Sequence, residues 1–275
     1  MSWTFTDDPG VFLDAAGTWL AARPAEHTVP LTVTAALRGR VPGGEGAPAP
    51  VLGWWRGPDG EVAGTLVQTP PRPPLLDGLS PDAVAALLAA RPLTSANADR
   101  ATALAVAAHW PGHHVTEERR LYRLDGLVPP CPAPPGGPRR AVPGDRGLLV
   151  RWHRGFAADL GRPDTGAEAA ADRRLSGDGL TLWEDGGAPV SMAVVSPRVA
   201  GAVRVVAVYT PPEHRGRGYA AAVTAQVART ALDGGAEHVL LFADPANPTS
   251  NGVYRRIGFR AIADRLVVGA EPGHG

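Results

Sequence analysis

VVAVYTPPEHRGRGYAAAV, Val205 to Val223, reads as a hydrophobic strand running into a glycine-punctuated turn that opens an alanine-rich helix. Such a junction leaves the first backbone N–H groups of a helix pointing outward at the positive end of its dipole, where phosphate binds. Gly216 and Gly218 lack Cβ, so the backbone can approach a pyrophosphate closely, and Arg215 and Arg217 can add charge-assisted contacts. Alone, an RGRG turn is as often a plain corner between strand and helix. The same letters fit a GxGxxA dinucleotide fingerprint at Gly216, Gly218 and Ala221. That reading fails on topology, because only 57 residues follow Gly218 and no second mononucleotide half fits there.

A second stretch, LLFADPANPTSNGVYRRIGF from Leu240 to Phe259, reads as another buried strand, an asparagine-rich loop and a short helix. Asn247 and Asn251 bracket the helix start, Thr249 or Ser250 can cap it, and Tyr254 falls on the same face as Asn251. By itself, Tyr254 is more simply a core aromatic with a satisfied hydroxyl. The two stretches together, in this order, suggest acyl transfer from coenzyme A.

Arg215, Gly218 and Ala220, with PPEHRG leading in and NPTSNGVYRRIGF following, resemble the GNAT superfamily of acyltransferases. Its signature is arginine or glutamine, two residues, glycine, one residue, then glycine or alanine. The similarity spans about Leu148 to Val268, with specific motifs from Val205 to Phe259. The resemblance implies a mixed sheet splayed at its fourth strand, here Val203 to Thr210, with acetyl-CoA as cosubstrate in the gap and no metal. Its pantetheine arm would pair with main-chain groups near Val206 and Val208 and meet Asn247 or Asn251. The pyrophosphate would rest on the amides of Arg215, Gly216, Arg217, Gly218, Tyr219 and Ala220.

The resemblance also implies direct attack by a primary amine of an unidentified small-molecule or peptide acceptor. No covalent intermediate is then needed, so Cys131 is not a nucleophile. Tyr254 takes the role of general acid, since a phenol near pKa ~10 can protonate a thiolate whose thiol is near ~8.5. Glu184, Asp185, Glu213 and His214 are candidates for the general base. Glu184 is preferred because it ends a predicted strand, whereas Glu213 and His214 lie beside the phosphate turn. The rival readings are a catalytically silent acyl-CoA sensor and a protein-interaction module.

Composition sets the frame around these motifs. The chain has 275 residues, 44% of them hydrophobic, enough for a sizeable core and for two domains. Lys+Arg and Asp+Glu balance at 27 each, which supplies no field for a nucleic-acid backbone or an anionic membrane. All the Lys+Arg residues are arginine, and one cysteine cannot form an internal disulfide framework. MSWTFTDDPG lacks the apolar core of a signal peptide, and no apolar run reaches membrane-spanning length; these features point to the cytoplasm.

Val128 to Gly144, VPPCPAPPGGPRRAVPG, reads as a linker in which proline and glycine deny helix and ladder hydrogen bonds. It separates residues 1–127 from a catalytic domain over 145–275. Each half predicts helix, helix, hairpin, strand, helix, strand, helix, strand. The expected fold class is α/β, as two GNAT-like domains, each a mixed, mostly antiparallel sheet flanked by helices. In the first half the position of the phosphate turn reads SPDA, and Asp82 there would repel a pyrophosphate. That half is expected to have lost acyl-CoA binding and to serve as structure, a cleft wall or an oligomer contact, with a homodimer left open. Trp54 and Trp55 share a strand, so one is expected in the core and the other outside. The arginines of TEERRLYR read as a solvated strand face.

Overall fold

A computed structural model describes residues 1–39, 48–164, 166–177 and 179–270. The chain forms two compact units. One comprises Met1–Leu121, Ala243–Ala246 and the strand from Ala261; the other comprises Tyr122–Phe242 and Asn247–Arg260.

The first unit opens with β1 (Ser2–Thr6), which the sequence reading does not anticipate, and continues with helices α1 (Pro9–Ala21) and α2 (Thr28–Arg38). The Asp8 carboxylate accepts hydrogen bonds from the Gly10 and Val11 amides, and Pro9 starts α1 with its φ already set. Phe12, Ala16 and Leu20 then recur every four residues on its buried face. The hairpin β2 (Val51–Arg56) and β3 (Val62–Gln68) is antiparallel, with Trp55 opposite Gly64 and a register shift before the closing pair Arg56↔Val62. Next come β4 (Leu75–Asp77), α3 (Pro81–Ala90), β5 (Ser95–Asp99), α4 (Arg100–Ala107) and β6 (His114–Leu124). β4 and β5 are parallel, as a strand–helix–strand crossover requires.

Both tryptophans of β2 are buried, contrary to the expectation that one would stay outside. Trp54 meets Phe12 of α1, while Trp55 meets Trp3 and joins the core cluster containing residues of α3 and α4. Helices cover both faces of this sheet, so neither side of the strand is solvated.

The last strand of the chain, β12 (Phe259–Gly269), pairs antiparallel with β5 from Arg265↔Asp99 to Gly269↔Ser95. The sequence reading leaves it with the C-terminal half; its residues from Ala261 onward pack in the first unit. Arg265 fixes it there through an ion pair with Asp77 at 2.5 Å and hydrogen bonds to the side chain and carbonyl of Asn97.

The second unit begins at Tyr122, ahead of the segment expected to be a linker, and takes that segment in. β7 (Gly137–Arg140) pairs antiparallel with β8 (Leu180–Asp185), so the Pro/Gly-rich stretch carries a ladder after all. β7 ends the strand order, and an edge strand tolerates Pro138 because one side of its ladder needs no N–H donor. Helices α5 (Arg146–Asp159) and α6 (Ala167–Leu175) follow, packing Leu149, Trp152 and Ala171 against Leu182, Met192, Ala207 and Tyr209. β8 and β9 (Ala188–Val195) turn through Gly186 and Gly187, both at positive φ. β10 (Ala202–Tyr209), α7 (Tyr219–Asp233), β11 (His238–Ala243) and α8 (Pro248–Arg256) complete the unit. Its strand order is β11-β10-β9-β8-β7.

Candidate functional site

β10 pairs with β11 from Ala202↔His238 to Val205↔Leu241 and with β9 from Val205↔Val195 to Tyr209↔Met192. Beyond Val205 the two parallel strands stop pairing, although β10 runs on to Tyr209. A β-bulge between Val205 and Ala207 marks the same point, and Val206 is 42% exposed in an otherwise buried strand. A bulge leaves one residue outside the ladder and bends the strand. This is the splay expected at the fourth strand, and Val206 and Val208 lie on the segment past it.

β10 leads through a 3-10 turn at Pro212–His214 into α7. Gly216 has φ +77° and Gly218, the N-cap, has φ +83° and ψ −2°, in the left-handed region that favours glycine. No side chain caps this helix, and its first turn carries no acidic residue. Helices α1, α3, α4 and α8 are capped by Asp8, Ser80, Asp99 and Asn247, whereas α2, α5 and α6, like α7, have no side-chain cap. The amides at the start of α7, Tyr219 and Ala220 among them, thus keep the dipole's positive end without an internal anion.

Arg215 is committed elsewhere. Its guanidinium donates to the Thr210 carbonyl at 3.0 Å and pairs with Asp159 at the end of α5, which ties the end of β10 to that helix. Arg217 remains exposed on the turn. The Tyr219 ring is buried, and its hydroxyl donates to Asp185 at the end of β8; that hydrogen bond raises the phenol's pKa. Pro134, from the stretch read as linker, stands beside Gly218.

Tyr254 lies on α8, half-buried, with its ring centroid 6.5 Å from that of Tyr122 and 6.2 Å from that of Phe259. Its hydroxyl hydrogen-bonds to none of the described residues, and burial pushes its pKa up to about 12. Desolvation disfavours the phenolate, so the group holds its proton over the whole working pH range.

The two asparagines act within the protein. The Asn247 side chain accepts from the Ser250 amide at 3.0 Å and so caps α8. Asn251 is buried; it accepts from the Tyr122 hydroxyl at 2.7 Å and donates to the Asn247 carbonyl at 2.7 Å. Both the oxygen and the nitrogen of the Asn251 amide are thus engaged within the protein.

The candidate bases do not converge. The Glu184 carboxylate is ion-paired at 2.9 Å with Arg139, whose other nitrogens fork onto Asp145. Arg139 holds the Asp145 carboxyl below the usual range and is also paired with one oxygen of Glu184. Asp185 receives Tyr219, and Glu213 is an exposed turn residue. His214 keeps a shielded Nδ1 that no described residue meets. Sequence reasoning missed Tyr122, since the alternation of TEERRLYR signals only a half-solvated strand.

Among the described residues, no group of three His, Cys, Asp or Glu is arranged to hold a metal, and no helix is long and apolar enough to cross a membrane.

Residues 196–268 match the family described as FR47-like protein. No curated protein sequence matches the chain. A GCN5-related N-acetyltransferase from Sphaerobacter thermophilus superposes with a TM-score of 0.63 at 19% identity, covering 97% of this chain and 94% of that one. A GNAT-family acetyltransferase from Colwellia psychrerythraea gives 0.63 at 12% identity over 98% and 99%. A GCN5-related N-acetyltransferase from Kribbella flavida gives 0.55 at 19% identity over 91% and 96%. The FR47-like match is confined to residues 196–268, while the chain shares its fold along almost its whole length with these acetyltransferase structures.

Proposed function

We propose that the protein is an N-acyltransferase that moves the acetyl group of acetyl-CoA to a primary amine. The observation that carries this reading is the uncapped N-terminus of α7 beside the point where β10 and β11 part. The diphosphate rests on the amides from Gly216 to Ala220, with Arg217 at the rim. The pantetheine arm runs along the open edge of β10 at Val206 and Val208, as an added strand would. Arg215 supports the site indirectly, by holding the end of β10 to α5. Only the second unit binds the cosubstrate: its counterpart in the first unit, the start of α3, is already capped by Ser80 and carries Asp82 in its first turn.

The amine nitrogen attacks the thioester carbonyl, the N–C bond forms and the C–S bond breaks. Tyr254 gives its proton to the departing sulfur and regains one from the amine's proton through solvent. A phenol near 12 is a weak acid for this task, but it is fully protonated whenever the thiolate leaves, and the same low-polarity surroundings raise the thiolate's own basicity. With Glu184 held by Arg139, water takes the first proton from an ammonium acceptor.

The test is release of free thiol from acetyl-CoA in the presence of polyamines, amino acids and peptide N-termini, together with calorimetric binding of acetyl-CoA. Tyr254→Phe should lower kcat about 100-fold, the lower end of general-acid effects, and leave the Kd for acetyl-CoA within about twofold. Binding without thiol release for every amine would make this a silent acyl-CoA receptor. Absence of binding would remove the acyl-CoA reading altogether.

A further inference from the structure

We propose that Tyr122, contributed by the strand that ends the N-terminal half, is a positioning residue that sets the aim of Tyr254. The inference rests on Tyr254 acting as general acid. Tyr122 is 2% exposed and Asn251 is 4% exposed, and the 2.7 Å bond between them is the polar anchor of α8 on this side. Asn251 passes the constraint to the helix start by donating to the Asn247 carbonyl at 2.7 Å, while Asn247 caps the Ser250 amide. The Tyr122 ring also lies against Tyr254, tilted at 54°, and Phe259 meets Tyr254 edge-on.

The chain after Tyr122 holds the other end of α8. The Asp125 amide donates to the Gly258 carbonyl and the Val128 amide to the Ile257 carbonyl, each at 3.1 Å, and Asp125 pairs with Arg260 at 2.8 Å. Gly258, at φ +103°, lies so close to the Gly126 carbonyl that a Cβ would fall 1.8 Å from that oxygen. The nine-residue helix carrying Tyr254 is therefore fixed at its start, along its aromatic face and at its exit by one segment, 122–128. The exit contacts resist sliding of the helix; the Tyr122–Asn251 bond resists its rotation. Rotation is the motion that would swing the Tyr254 hydroxyl away from the leaving sulfur, and a misplacement of about 1 Å costs up to about 100-fold in rate.

The experiment is a double-mutant cycle on full-length protein, reading thiol release from acetyl-CoA and calorimetric acetyl-CoA binding. Tyr122→Phe keeps the ring and deletes the hydroxyl. It should lower kcat about tenfold while the Kd for acetyl-CoA stays within about twofold, and it should have no further effect in a Tyr254→Phe background. Asn251→Leu, which removes the acceptor from the other side, should show the same loss and the same absence of additivity, and it substitutes for Tyr122→Phe if that variant does not fold. An equal tenfold loss in the Tyr254→Phe background, or an unchanged kcat in Tyr122→Phe, overturns the inference and leaves the acyltransferase reading standing. A wild-type protein that releases no thiol overturns both, and a Tyr254→Phe protein with full activity removes the general acid on which Tyr122 would act.

Discussion

Replacing Arg265 by methionine should destabilise the first unit more than any surface substitution could. Arg265 belongs to the last strand and is 6% exposed, its partner Asp77 5%. The guanidinium donates to Asp77 at 2.5 Å, to the Asn97 side chain at 3.1 Å and to the Asn97 carbonyl at 3.0 Å. Methionine fills much of the volume but leaves a buried carboxylate unpaired, and Oδ2 of Asp77 already has no partner among the described residues. Breaking a buried pair from one side costs about 3–5 kcal/mol. At about 2–4 °C per kcal/mol for a domain of this order of size, the melting temperature should fall by about 6–20 °C. Scanning calorimetry at neutral pH measures this directly. The companion double variant Asp77→Leu/Arg265→Met, which removes both charges, should recover at least half of the loss. A fall under about 3 °C in the single variant would refute the claim that this pair, rather than strand pairing alone, seats β12.

Further outcomes follow from the second unit. His153 is buried on α5 against Arg174, and desolvation first, then that guanidinium, lowers its pKa from 6.5 to about 4. The fold therefore favours neutral imidazole, so its contribution is complete above pH 6.5 and is lost as pH falls through about 4, by at most about 3 kcal/mol. Urea unfolding of His153→Gln should show a flatter pH dependence than wild type across that window, and equal slopes would sink the assignment. Gly218→Ala has room for a methyl, with Pro134 at 3.7 Å, but not a comfortable backbone at φ +83°. Strain of about 1–2 kcal/mol at the N-cap should weaken acetyl-CoA binding about tenfold by calorimetry, and an unchanged Kd would show that the diphosphate lies elsewhere.

The order of elements in each half was legible because the signals are local: Ser80 ahead of Pro81, glycines at hairpin tips, and apolar periodicity in α1. The start of α7 was legible for the same reason, since Gly216 and Gly218 declare a left-handed turn whatever surrounds them. The short strands β1 and β7 were not, because an edge strand is defined by the neighbour it pairs with, and Gly137-Pro138 looks like a breaker until β8 lies beside it. The roles of polar groups were the least legible. Glu184 and Asn251 occupy positions where the motif leads one to expect chemistry, yet Arg139 and Tyr122, distant in sequence, hold them. Tertiary structure alone decided that, because a carboxylate or an amide is a reactant or a strut according to what stands within hydrogen-bond reach, and the contacts that settle it are made by residues many positions away. The sequence by itself determined the left-handed glycine turn that opens α7; the packed chain determined which side chains around it are already engaged.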